Sequence, residues 1–83
     1  MTETRELRVI IQKRYNFNKQ QIEDYRNQLE TKEVKASKLF QDGLNKIIAG
    51  YREKMEEDVF FLSKIDGTGT NTAKEMLDKG LVY

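Results

Sequence analysis

Between Leu39 and Ile65 apolar residues return every three or four positions: Leu39, Phe40, Leu44, Ile47, Ile48, Tyr51, Met55, Val59, Leu62 and Ile65. That interval follows one side of an α-helix, so the stretch predicts a single long amphipathic helix. Gly43 and Gly50 lie inside it, each costing about 1 kcal/mol relative to Ala in an exposed helix interior. Such glycines mark either a close approach of another helix or a break near residue 50.

The helix belongs to a chain of 83 residues, one domain at most and short for burying a core alone. The sequence contains no Cys and no His, which removes disulfides, thiolate chemistry and the usual zinc ligands. Oligomerisation is the remaining staple, and a homodimer is the default expectation. The commonest catalytic bases and nucleophiles are missing for the same reason, so no enzyme and no cofactor are expected. No apolar run is long enough to span a bilayer and no leader-like segment opens the chain, so a cytoplasmic protein without membrane contact is expected.

The net charge is +1, but it is unevenly distributed. Residues 1–19 carry five basic and two acidic groups, residues 20–50 five of each, and residues 51–83 five basic and seven acidic. A basic front ahead of an acidic back hints weakly at a polyanion. Ordinary surface charge explains the same numbers.

Asn18, with Gln21 three residues on, has the pattern of a helix cap; Ile22, Tyr25 and Leu29 then form a narrow apolar stripe. Residues 66–72, DGTGTNT, are the one clear linker. Beyond them a short helix is expected, capped by Asn71 or Thr72, stopped at Gly80, and apolar at Met76, Leu77 and Leu81.

Residues 8–17, RVIIQKRYNF, are ambiguous. As a helix they align Leu7, Ile10, Ile11 and Tyr15; as a strand, Leu7, Val9, Ile11, Tyr15 and Phe17 alternate with polar residues. Lys13 and Ile10 break the alternation, whereas the β-branched run Val9-Ile10-Ile11 favours it. Local pattern leaves the two close. A lone strand must pair, and no second strand candidate exists in this chain, so its partner would come from a second copy.

The segment VKASKLFQDGL, residues 34–44, resembles the start of the second helix of Arc/MetJ/CopG-type ribbon-helix-helix repressors. Val34 stands for the family's small aliphatic residue, Ser37 for its Ser, Leu39-Phe40 for its apolar pair and Gly43-Leu44 for Ala-Leu. Counting back, Asn18 takes the first-helix cap and Phe17 the end of the strand. The resemblance spans about residues 7–51 and its motifs are loose; Lys13 and Glu33 depart from it.

It implies a mainly α protein with one N-terminal β-strand. Two copies would form an intertwined homodimer around a two-stranded antiparallel ribbon, with residues 1–51 as the binding and dimerisation domain. Residues 52–83 would be a C-terminal helical extension. The ribbon would enter the major groove of double-stranded DNA, with Gln12, Arg14 and Asn16 contacting bases and Lys35, Ser37 and Lys38 contacting phosphates. Val9, Ile11, Tyr15, Phe17, Leu39, Phe40, Leu44, Ile47 and Ile48 would build the dimer core. The implied function is a small repressor of a phage, plasmid or other mobile element, or an antitoxin-type autoregulator, with dimers pairing further on DNA. Residues 52–83 would then serve a protein partner such as a toxin. The rival from another class is an all-helical interaction protein, an adaptor or an inhibitor of a host protein. It requires residues 8–17 to be helical.

Overall fold

The computed structural model describes residues 2–80. Its chain forms α1 (Thr2–Leu29), α2 (Lys32–Lys35), α3 (Lys38–Asp66) and α4 (Thr70–Lys79), with no strand among the described residues. Residues 8–17 lie wholly within α1. The expected ribbon-helix-helix fold is therefore overturned: without a strand there is no ribbon for a second copy to complete.

The physical reason is a periodicity longer than the ambiguous stretch. Thr4, Arg8, Ile11, Tyr15, Asn18, Ile22, Tyr25 and Leu29 follow one another at alternating steps of four and three, and all are buried or half-buried. On α3 the matching row is Gln41, Leu44, Ile48, Tyr51, Met55, Asp58, Leu62 and Ile65, again alternating and again buried or half-buried. Two such rows facing each other make an antiparallel coiled-coil hairpin. Three cross-seam pairs give its direction: Arg8 with Asp66, Arg14 with Asp58, and Tyr25 stacked on Tyr51 with ring centroids 5.9 Å apart. A helical partner inside the same chain offers Ile11 and Tyr15 their burial at once. The β preference of Val9-Ile10-Ile11, a matter of packing context, is overridden.

Asn18 accordingly is no cap. It sits buried in mid-helix, on the seam. Ser37 does cap α3, accepting a hydrogen bond from the backbone N–H of Phe40 at 3.4 Å. The long helix predicted from the run at 39–65 is present, unbroken at Gly43 and Gly50, so the boundary expected at residue 51 falls inside α3.

The expected linker contracts to Gly67–Gly69. Gly67 ends α3 in the left-handed region (φ 65°), with its N–H returning to the Ser63 carbonyl. Gly69, rather than Asn71 or Thr72, takes the cap position of α4. Gly80 ends that helix as the sequence predicts, while the expected role of Leu81 lies outside the described residues. The turn lets α4 fold back on the open end of the hairpin. There Ala73 and Leu77 join Ile11, Tyr15 and Leu62 in the buried cluster, with Met55, Val59, Ile65 and Met76 packed around it. The whole is a rod of 52 × 18 × 17 Å.

Candidate interaction surface

The sequence-predicted base contacts do not share a face. Alternate residues on a helix are turned by about 200°, so Arg14 points away from Gln12 and Asn16, which sit one turn apart on the same side of α1. Gln12 is 1 % exposed. Its amide donates to the Leu77 carbonyl at 3.0 Å and to Asn16 Oδ1 at 2.9 Å. Arg14 lies on the opposite flank, its Nη2 3.7 Å from Asp58 Oδ1. The row of outward side chains that the ribbon would have presented to DNA is dissolved by the helix.

Lys35, Ser37 and Lys38 do remain together, at the junction of α2 and α3. Lys35 pairs with Glu30 at 3.1 Å, and the Ser37 hydroxyl is used as the helix cap.

The nine residues expected in an intertwined dimer core divide sharply. Ile11, Tyr15 and Ile48 are buried within the single chain, and Val9 and Leu44 are half-buried. Phe17, Leu39, Phe40 and Ile47 are exposed, Leu39 as much as 80 %. The first group is committed to the hairpin seam and the base of α4, so it cannot also form an intertwined core.

Sequence reasoning missed the polar clamp that docks α4. Tyr15 donates its hydroxyl hydrogen bond to Asp78, and Lys19 Nζ lies 3.9 Å from the same carboxylate. Burial, then the Asp78 hydrogen bond and charge, push the Tyr15 phenol above its ordinary range. An Asp beside the apolar pair Met76-Leu77 on a ten-residue helix carries no warning of such a contact; only the fold-back of α4 creates it.

Asp58 follows the acidic pair Glu56-Glu57 in the sequence, yet it is 0 % exposed, on the seam, with neither carboxylate oxygen hydrogen-bonded. Burial raises its pKa, Arg14 opposes the rise, and Glu57 adds to it. The step from Met55 to Asp58 to Leu62 was the available signal, since it places Asp58 on the apolar stripe.

Outside the seam, the two flanks of the hairpin differ. On the α4 side, a groove of about 610 Å³ opens between α1, α3 and α4. Its apolar floor includes Ile22, Met55 and Val59, and its rim mixes Lys19, Arg26, Arg52 and Lys74 with Glu23 and Glu56. On the other flank, α3 carries a second alternating row: Phe40, Gly43, Ile47, Gly50, Lys54, Glu57, Phe61 and Lys64, all exposed. Beside it, α1 exposes Leu7, Ile10 and Phe17. Phe17 and Lys54 line one shallow hollow together with Lys13 and Arg14, which places the α1 and α3 residues on a common face. None of the described residues covers this face.

Among the described residues, no helix is long and apolar enough to cross a membrane. Comparison with family models, with curated proteins and with solved structures finds no match to this chain.

Proposed function

We propose that this chain acts through protein–protein contact, as a helical-hairpin interaction protein whose working surface is the flank opposite α4. The supporting observation is the second 3–4 row on α3. The hairpin has already closed one such row as its own seam, yet Phe40, Ile47 and Phe61 stand outside it, spaced by seven and then fourteen residues with Lys54 between. Large apolar groups gathered on one exposed face of a small protein characterise binding surfaces. A scatter of isolated exposed apolar residues would carry no such meaning. Leu7, Ile10 and Phe17 extend the face across to α1.

Site-specific photocrosslinking tests this reading. A photoreactive phenylalanine placed at position 17, 47 or 61 should form protein adducts in cells. The same probe at Asn45 or Asn71, away from the face, should not. Equal adduct yields at all five positions would remove the reading.

A further inference from the structure

We propose that the occupant of this face is a second copy of the same chain, with α3 packed antiparallel against α3 of its mate. The inference rests on the contact reading above and deepens it by naming the partner.

Three observations converge on a second copy. The first is area. The chain exposes 6114 Å², whereas a compact monomer of 9.8 kDa exposes roughly 5,200 Å². The rod shape generates the excess, and a second rod lying alongside would remove it. At roughly 900 Å² it is close to the ~800 Å² per partner of a standard interface.

The second is the pair of glycines. Gly43 and Gly50 stand inside α3, where each weakens the helix by about 1 kcal/mol relative to Ala. A Cβ built at either position meets nothing within 4 Å, so close packing inside the chain does not require them. They stand instead on the outer row, one helical turn from Phe40, Ile47 and Lys54. Glycine there removes the side chain that would hold a neighbouring helix away.

The third is register. α3 runs from Lys38 to Asp66, so its centre is residue 52. Two copies crossing antiparallel about that centre set Phe61 opposite Gly43, Lys54 opposite Gly50, and Ile47 opposite Glu57. Phe40 comes to lie opposite Lys64. Each large side chain of the outer row thereby meets a glycine or a long charged side chain whose stem can pack beside it. Lys46 of one copy comes within one residue of the level of Glu57 of the other, and Lys64 comes level with Phe40, as a cation–π contact requires. One two-fold axis uses every member of the row twice, as an isologous interface requires.

Sedimentation equilibrium of the whole chain should give twice the monomer mass. Ile47→Glu combined with Phe61→Glu should return it to the monomer with the helical circular dichroism unchanged, because both side chains are exposed in the single chain. Register is read by cysteine pairing, which the absence of native cysteine makes unambiguous. A mixture of the Ile47→Cys and Glu57→Cys proteins should form a disulfide-linked dimer on oxidation. Each variant alone should not, since its two cysteines would stand about 15 Å apart along the axis. A monomer persisting to millimolar concentration, a dimer unaffected by the double Glu variant, or equal linking by one variant alone would each overturn the proposal. A monomer that still gives photoadducts to a different protein only at positions 17, 47 and 61 would overturn the second copy and leave the contact reading standing. Loss of that positional contrast would remove both.

Discussion

Arg14 leans across the hairpin toward Asp58, its Nη2 3.7 Å from Oδ1, but the guanidinium stays half in water while the carboxylate is wholly enclosed. The pair is thus lopsided. Asp58 bears the cost of leaving water, and Arg14 returns only part of it, because an ion pair must be close and fully hydrogen-bonded to offset burial.

Asp58→Leu should therefore stabilise the protein at neutral pH, by about 1–3 kcal/mol, since an apolar side chain of similar size leaves no unsatisfied oxygen on the seam. The pH dependence has a definite sign. The folded state raises the Asp58 pKa above the ordinary 3.8, so it holds the proton more tightly than the unfolded chain. The contribution is most favourable below that ordinary value and is lost as pH rises through the raised one. Urea midpoints of wild type and variant should converge on acidification and separate toward neutrality. A gap that widened in acid would contradict the burial argument.

Tyr15→Phe should cost about 1 kcal/mol through the lost hydrogen bond to Asp78 and loosen α4 in particular. Amide exchange in α4 (Thr70–Lys79) should quicken more than in the middle of α3. In the wild type, ultraviolet titration should show one tyrosine ionising later than the ordinary 10.0. Because the folded pKa is raised, its share of stability persists at neutral pH and is lost as pH climbs through the raised value.

Leu77→Ala and Leu39→Ala offer a contrast between chemically identical truncations. Leu77 is 1 % exposed at the centre of the cluster joining α4 to the hairpin, and its loss should cost about 2–5 kcal/mol. Leu39 stands in solvent at the first turn of α3, and its loss should change stability by less than about 0.5 kcal/mol. Thermal or denaturant unfolding followed by circular dichroism decides the comparison.

Gly67→Ala should destabilise by about 1 kcal/mol, because the α3–α4 turn holds this residue at φ 65°, where a Cβ is disfavoured. Open space around the position offers no compensating contact. Denaturant midpoints measured beside wild type would refute the argument if the variant proved as stable.

Much of the helical content could be read from residue spacing. The run from Leu39 to Ile65 and the stop at Gly80 depend on interactions within one or two turns, and both appear where their residues predict them. Residues 8–17 could not be resolved in that way. Val9-Ile10-Ile11 suits either a strand or a helix, and the reading toward a strand followed from the resemblance of residues 34–44 to a ribbon-helix-helix second helix, whose register makes Asn18 a cap. The evidence against it lay farther off, in the unbroken steps linking Ile11, Tyr15, Asn18 and Ile22. The outer flank was only half legible. Phe40 and Ile47 could not be separated from the true seam residues Leu44 and Ile48. Adjacent apolar positions widen a stripe without revealing which half of it faces inward.

What the amino-acid order determined by itself is local: where the long helix begins, where α3 and α4 can stop, and that no cysteine or histidine chemistry is available. What only the tertiary structure decided is which side of each helix is spent. Burial depends on the partner rather than on the residue, so Asp58 went inside while Phe61 stayed out, and Tyr15 found Asp78 across 63 positions of chain. Once α1 had supplied the partner that α3 needed, residues 8–17 had no reason to become a strand.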